Sequence, residues 1–379
     1  MKILQLGKFY PCPGGVEAVM LDLVKGISER NIDCDMLCTH LKPGKKASIY
    51  NINPHAHVFC AKSIMKKYST MISPSMISWL RHIANDYDII HIHHPDPMAA
   101  VALWLSNYKG KVVLHWHSDI VKQKKLLSLY RPLQDWLIKR ASVIVGTTPV
   151  YVKQSNDLDD VQDKCTFLPI GIEPLKWDEK EVAEIRQRFS GKHIVFSLGR
   201  LVHYKGFKYL IEAARYLPDD YVVLIGGSGT LKEELEQQIS DNDLSDKVYL
   251  LGRISDEELP NYYRAADIYC LSSIQKTEAF AIVQIEAMSC SRPVVATNIP
   301  GSGVQWVNAD DVSGLNVPIC DGQALANAIQ KIVDDPILYE KYSSGAYQRF
   351  NSLFTRDRMI DKCLNIYKKV LGNNARKKN

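Results

Sequence analysis

Two carboxylates, Glu278 and Glu286, stand eight residues apart and bracket Ala279-Phe280-Ala281-Ile282-Val283-Gln284-Ile285. The segment before them, Ala266-Asp267-Ile268-Tyr269-Cys270-Leu271-Ser272-Ser273, reads as an apolar strand ending in small polar residues. The segment after them, Ala287-Met288-Ser289-Cys290-Ser291-Arg292-Pro293-Val294-Val295-Ala296, reads as a helix end, a turn and another strand. A carboxylate at the mouth of a strand and a second on the following helix can both face a crevice at the carboxyl edge of a parallel sheet. Such a pair suits hydroxyl-rich ligands; an acid–base couple is the other chemistry the spacing allows.

Two cations hold a comparable place. Arg200 and Lys205 lie in Gly199-Arg200-Leu201-Val202-His203-Tyr204-Lys205-Gly206, directly after the strand pattern Val195-Phe196-Ser197-Leu198. Fixed positive charge in a strand-to-helix loop neutralises a diphosphate and the charge developing on it as a leaving group. Gly226-Gly227-Ser228-Gly229 follows Val222-Val223-Leu224-Ile225 and leads to a helix; it either approaches a nucleotide or turns the chain. Near the start, Gly14-Gly15 opens a helix pattern, so backbone N–H groups there can approach an anion, although a tight turn explains the pair equally well. Glu17 caps or orients that helix start. The three-glycine dinucleotide fingerprint and the Gly-Lys-Thr phosphate loop are both absent from the sequence.

Histidines cluster in the first half. His91-Ile92-His93 and His115-Trp116-His117 alternate on strand patterns, so each pair shares one face, and His94 follows. Their spacing is not that of a four-ligand structural zinc site, and a polar rim at the sheet edge is the expectation. His117-Ser118-Asp119 is the better candidate for contact with a sugar. The nine cysteines form no Cys-x-x-Cys pair, and Cys34 and Cys38 read as small core residues.

Elements that must position these groups alternate along the chain. Strand patterns at residues 3–6, 34–39, 89–93, 112–115 and 142–147 are interleaved with helices at 14–28 and 126–140. A second series runs through strands at 194–198, 221–225, 247–251, 268–271 and 294–297, a short strand or turn at 314–317, and helices at 206–216, 231–242, 256–265 and 321–334. Helices at 339–350 and 356–371 close the chain. Alternation of this kind means an α/β chain with parallel sheets covered on both faces. A length of 379 residues argues for two domains. Gly171-Ile172-Glu173-Pro174 marks the junction, giving domains 1–173 and 174–350, with 351–379 expected to cross back to the first.

Net charge is +5, unevenly spread: residues 1–173 carry 21 Lys and Arg against 15 Asp and Glu, the remainder 26 against 27. The excess suits anionic lipid or a phosphate-bearing partner. Nucleic acid is not expected, because no zinc-finger spacing, aromatic RNA-binding strands or recognition helix accompanies the charge. No apolar run has the length of a membrane span, and the start enters a strand pattern rather than an export signal, so a cytoplasmic location is expected.

Taken together, Glu278-x7-Glu286, Gly199-Arg200-x4-Lys205-Gly206 and Gly14-Gly15-Val16-Glu17 resemble family 4 of the retaining, nucleotide-sugar-dependent glycosyltransferases, over essentially the whole chain. The resemblance implies the GT-B fold, in which two Rossmann-like domains face a central cleft. It implies that the Gly14-Gly15 loop approaches the diphosphate and the attacked sugar, and that Arg200 and Lys205 hold the diphosphate. Glu286 then binds ribose hydroxyls, while Glu278 and the backbone of Phe280, Ala281 and Ile282 contact the donor sugar. His117 matches a sugar-binding histidine, and Gly252 and Arg253 lie near the base. Ala281 departs from the family, which often has Gly or Pro there. The implied reaction transfers a hexose with retention, without metal or other cofactor, and the nucleoside diphosphate sugar is a substrate. Asp33-Cys34-Asp35, the nearest formal Asp-x-Asp match, opens a strand of the first domain.

The His-Ser-Asp region resembles bacterial lipopolysaccharide O-antigen mannosyltransferases. Mannose from GDP-mannose is therefore the expected donor, and a lipid-diphosphate-linked saccharide at the inner face of the cytoplasmic membrane the expected acceptor. Asp119, Lys122, Lys124, Lys125 and Glu17 are expected on the acceptor or membrane side, with a second surface at Ile64-Met65-Lys66-Lys67-Tyr68 and Met76-Ile77-Ser78-Trp79-Leu80. Packing of Met76, Ile77 and Leu80 on the first sheet is the alternative. Other readings are UDP-sugar-dependent galactosyl-, glucosyl- or N-acetylhexosaminyl transfer, a UDP-GlcNAc 2-epimerase-like or phosphorylase-like enzyme, and a non-enzymatic sugar-binding, membrane-associated protein. Oligomeric state is not legible.

Overall fold

Helix starts are set by a short polar acceptor followed by proline. Ser73, Asp96, Thr148 and Asp335 are N-caps, and Pro74, Pro97, Pro149 and Pro336 open the helices. The caps accept from Met76 N at 3.2 Å, Ala99 N at 3.0 Å, Tyr151 N at 3.1 Å and Ile337 N at 2.9 Å. Proline has no N–H to leave unpaired at these positions. Pro97–Ser106 is one helix that periodicity does not reveal, because its sequence, PMAAVALWLS, is apolar almost all round.

The computed structural model describes the chain except residues 13, 68–69, 121–123 and 373–379, and the side chains at 124–129. The chain divides into one unit of Met1–Gly171 with Arg356–Asn379 and a second of Ile172–Thr355. The second unit ends at Thr355 rather than at residue 350, because Phe354 packs edge-on against Phe280 and Trp306 at 5.9 and 5.8 Å.

In the first unit the strands are β1 (Lys2–Tyr10), β2 (Asp33–His40), β3 (Ser48–Asn53), β4 (Ala56–Ala61), the ribbon strands β5 (Met65–Lys67) and β6 (Thr70–Ile72), then β7 (Ile89–His94), β8 (Lys111–Trp116), β9 (Val143–Gly146) and β10 (Cys165–Phe167). The main sheet has the order β10-β9-β8-β7-β1-β2-β4-β3, parallel except for the β3–β4 pair. β3 escapes sequence reading because its SIYNIN segment lies mostly exposed at the sheet edge.

The second unit contains β11 (His193–Leu198), β12 (Tyr221–Gly226), β13 (Val248–Gly252), β14 (Ile268–Leu271), β15 (Val294–Thr297) and β16 (Gly314–Val317). They form an all-parallel sheet in the order β13-β12-β11-β14-β15-β16. The near-continuous apolar strands, such as YVVLIG in β12, are buried throughout, as a sheet covered on both faces requires.

The helix Arg356–Gly372 packs on the helix Gly15–Ser28. Gly26 makes the crossing close: a Cβ there would lie 2.6 Å from Ile360 Cγ1. Arg356 pairs with Glu29 at 2.9 Å, and Arg30 with Asp357 at 3.1 Å and with Asp361. These pairs are largely exposed and contribute about 0–1 kcal/mol each, so the apolar crossing carries most of the docking. Gly26→Val is therefore expected to lower the thermal midpoint and expose the terminal helix to limited proteolysis. An unchanged midpoint and digestion pattern would show that the crossing tolerates a side chain.

Candidate functional site

A doubly wound sheet opens where its winding reverses, because the loops on either side run in opposite directions across the faces. In the second unit this point lies between β11 and β14, which pair through Val195–Ile268 and Phe196–Tyr269. The loop after β11 carries Arg200 and Lys205, and the loop after β14 carries Ser272, Ser273 and Glu278. Lys205 Nζ meets Glu278 Oε2 at 2.5 Å, with only 10% and 11% of the side chains exposed. Ser273 Oγ donates to the same oxygen at 3.0 Å, and Ser272 Oγ donates to the Lys205 carbonyl at 3.0 Å. Gly206 lets these loops touch: its φ is +66°, and a Cβ would lie 2.1 Å from the Ser272 carbonyl oxygen.

The glycines at 226–229 serve a similar close approach. Gly199 N donates to Gly226 O at 3.0 Å and Leu201 N to Ser228 O at 2.9 Å. A Cβ on Gly227 would sit 1.9 Å from Gly199 O. The cation-bearing loop is thus laid directly on the glycine loop. Arg200 remains exposed, its Nη2 donating to the Tyr204 hydroxyl at 3.1 Å.

Glu286 lies on the helix Ile282–Ser289, where the Tyr263 hydroxyl donates to its Oε2 at 2.6 Å. Burial raises its pKa; the Tyr263 hydrogen bond and the Lys205 charge act against that rise, and Asp256 adds to it. Ala281, at the N-cap of this helix, has φ +61°. This is the left-handed region that an L-residue enters at a cost of about 1–2 kcal/mol. Phe280 and Ala281 are buried. Gly252 closes β13 at φ +72° with open space where a Cβ would stand, and Arg253 beside it is exposed, with no hydrogen-bond or ion-pair partner among the described residues.

In the first unit the winding reverses between β1 and β7. Gly14 caps the helix Gly15–Ser28 in an extended conformation that any residue adopts; what a Cβ would meet is the Glu17 carboxylate, at 3.2 Å. Glu17 itself is nearly buried. His117 follows β8 and is the one member of the alternating histidine set with measurable exposure, 5%; His91, His93 and His115 are at 0%. This corrects the polar-rim expectation: the set lies in the interior, on the face where Tyr367 of the terminal helix packs edge-on against His91 at 5.6 Å. Burial holds all four imidazoles well below their ordinary pKa, so they are neutral.

Nitrogens of His91, His93 and His115 come within 4.8 Å of one another. The rings are near-parallel, with interplanar angles of 13–31°, so their in-plane lone pairs do not converge on one point. His93 already uses both nitrogens, toward His117 and Gln5. The cluster is arranged to stack rather than to coordinate.

Asp119 is engaged internally: its Oδ1 accepts from Trp116 Nε1 at 2.9 Å and Ser155 Oγ at 2.7 Å. Lys122 lies outside the described residues, as do the side chains of Lys124 and Lys125, whose backbone opens the helix Lys124–Arg140. Lys66 and Lys67 are exposed on the β5–β6 ribbon, Lys66 Nζ standing 5.5 Å from the Phe9 ring; Tyr68 lies outside the described residues. Met76 and Leu80 are core residues at 1% and 0% exposure, so the packing alternative holds for that stretch. Sequence reasoning passed over Tyr263 and Tyr367, which lie 23 positions from Glu286 and 362 from Gln5, and read Ser273, five residues before Glu278, only as part of a small polar strand end. Gln5 did carry a signal, a lone amide within Ile3-Leu4-Gln5-Leu6.

Residues 178–349 match the family described as Glycosyl transferases group 1, and residues 13–174 match Glycosyltransferase Family 4. Over 377 residues the chain is 32% identical to the O-antigen chain mannosyltransferase C of Escherichia coli, with 98% of this chain and 99% of that one covered. It is 27% identical over 360 residues to the D-rhamnosyltransferase WbpZ of Pseudomonas aeruginosa, covering 94% and 92%. Among solved structures, Anabaena Alr3699/HepE in complex with UDP has a TM-score of 0.77 at 20% identity, covering 97% of this chain and 100% of that one. That likeness shows the fold: two Rossmann-like domains of the GT-B type.

Two measurements probe the second-unit site. Lys205→Met and Glu278→Gln are each expected to cost about 3 kcal/mol, because each strands a nearly buried charge. The double variant should cost clearly less than their sum, and strictly additive denaturation energies would show that the two groups are uncoupled. Ala281→Gly should raise stability by about 1 kcal/mol by relieving the left-handed alanine. A lowered thermal midpoint would mean that the methyl contacts outweigh the strain.

Proposed function

The chain belongs to the family 4 glycosyltransferases, and on that premise we propose that it transfers a hexose, with retention, from a nucleotide sugar to a lipid-diphosphate-linked saccharide. The observation that carries this reading is the Lys205–Glu278 pair at the winding reversal of the second sheet, with Arg200 on the same loop and Glu286 on the next helix. Arg200 and Lys205 supply the positive charge that a diphosphate needs as its bond to the anomeric carbon breaks. Glu278 is held against Lys205 and Ser273, which fits a hydrogen-bond acceptor for sugar hydroxyls better than a free nucleophile. Glu286, with one oxygen on Tyr263, has its other oxygen for ribose hydroxyls. His117, with the backbone at Gly14 and Gly15, is the candidate for sugar contact that the first unit carries.

In the proposed step the acceptor oxygen bonds to the anomeric carbon on the face from which the phosphate departs. The acceptor proton passes to the departing phosphate oxygen. One lysine and one arginine charge at the diphosphate, Lys205 and Arg200, take the electrostatic role a metal ion would have in this step. The donor is a nucleotide hexose: the name of the E. coli relative favours mannose, for which GDP-mannose is the expected form, and UDP, bound in the Anabaena protein, is the alternative carrier.

Charge and surface support a membrane-borne acceptor. The first unit carries 29 Lys and Arg against 16 Asp and Glu, whereas residues 172–355 carry 18 against 26. Assigning the terminal helix to the first unit therefore sharpens the segregation seen along the sequence. Ile64 and Met65 are 60% and 51% exposed beside Lys66 and Lys67, a combination suited to a peripheral contact with an anionic bilayer. Among the described residues no helix is long and apolar enough to cross a membrane.

The test is transfer from a panel of UDP- and GDP-hexoses to a synthetic saccharide-diphosphate-lipid, in anionic and neutral vesicles, with and without EDTA. Product with retained configuration, EDTA resistance and faster turnover on anionic vesicles are expected, and Glu286→Ala should raise the donor KM. Absence of product with every donor, or loss of activity on chelation alone, would refute the reading.

A further inference from the structure

Five buried side chains of the first unit, His91, Tyr367, Gln5, His93 and His117, form a hydrogen-bonded chain that ends at His117. Gln5 lies at its centre, fully buried on β1. Its Oε1 is 2.8 Å from His93 Nε2, and its Nε2 donates to the Tyr367 hydroxyl at 3.0 Å. The Tyr367 hydroxyl is 2.5 Å from His91 Nδ1, and His93 Nδ1 is 2.9 Å from His117 Nε2.

Each contact decides the next. An amide oxygen only accepts, so His93 must carry its proton on Nε2. In a neutral ring Nδ1 is then an acceptor, so the proton between the two histidines belongs to His117 Nε2. That leaves His117 Nδ1 with a lone pair, the ring's hydrogen bond to His93 being made through Nε2. At the other end the Tyr367 hydroxyl accepts from Gln5 and has its own proton for His91 Nδ1 or for the neighbouring Cys363 thiol. His115 stacks on His117 at 3.9 Å with both nitrogens unpartnered, so it adds a flat wall and no competing hydrogen bond.

We infer that Gln5 and Tyr367 are positioning residues that hold His117 as its Nε2–H tautomer, so that it offers Nδ1 as an acceptor to a ligand hydroxyl. Reversing this polarity requires the Gln5 amide to flip and His93 and His117 to change tautomer together. The terminal helix thereby takes part in the site through Tyr367, without any contact with ligand. The identity of that hydroxyl, on the donor sugar, rests on the proposed function; the tautomer does not.

The experiment is long-range 1H–15N NMR of the ligand-free, histidine-labelled full chain, with the His117 signals assigned by their loss in His117→Gln. The wild type should show a protonated Nε2 and an unprotonated Nδ1. Tyr367→Phe leaves the Gln5 amide with only Cys34 Sγ, at 3.8 Å, for its Nε2. His117 should then become a mixture of tautomers. Gln5→Met removes the acceptor of His93 and should shift His117 further toward Nδ1–H. In transfer assays both variants should raise the donor KM about tenfold, the equivalent of one hydrogen bond, with the acceptor KM unchanged. An Nδ1–H tautomer in the wild type overturns the inference. So does an unchanged His117 tautomer in Tyr367→Phe, a single-oxygen deletion that leaves the ring packing in place. Absence of transfer with a correct tautomer would count against the proposed function alone.

Discussion

Parallel strand pairing is the constraint on which everything else depends. In a parallel sheet every strand ends at the same edge, so each sheet delivers its loops to one side. The reversal of winding between β11 and β14 then lays the loop after one strand beside the loop after the other. Lys205 and Glu278 are 73 positions apart in the chain and meet because of this topology. The glycines at 206 and 227 are its local counterpart, since backbone can be laid on backbone only where no Cβ intervenes.

Charge is handled differently in the two units. The second keeps ionised groups at its sheet edge and neutralises them pairwise, as in Lys205 with Glu278. The histidine cluster of the first is buried in uncharged form: neutral imidazoles, an amide and a phenol satisfy one another in series. Neutrality matters there, because an ionised imidazole under a fully packed helix would have no counter-charge. His91 Nε2 and both nitrogens of His115 are left without hydrogen bonds, which is the cost of stacking four rings on adjacent strands.

Two of the left-handed non-glycine residues lie on elements that carry Glu286 and Gln5. Ala281 is left-handed at the start of the helix carrying Glu286, and Lys8, also left-handed at φ +65°, is held at the end of β1 through its N–H to Asp96 Oδ2 at 2.6 Å. Such conformations persist only where surrounding contacts over-determine them. At Ala281 those contacts come from a buried neighbour, Phe280, wedged against Phe354. At Lys8 they come from an aspartate that also caps the helix Pro97–Ser106.

By itself the sequence determined the fold class, the alternation of strands and helices, and the carboxylates and cations at strand ends. Those signals are local: apolar runs bounded by glycine and small polar residues, read within a window of about ten residues. The Ser-Pro, Asp-Pro and Thr-Pro helix starts went unread, and a near-uniform apolar helix such as Pro97–Ser106 hides its period. Tertiary structure alone decided which groups meet. Tyr263 became the holder of Glu286, Lys205 the partner of Glu278, Met76 and Leu80 turned inward, and the histidine strands came to lie under Tyr367. Partners brought together by strand order and helix crossing leave no mark in the spacing of residues along the chain, because the distance between them is set by the sheet and not by the sequence separating them.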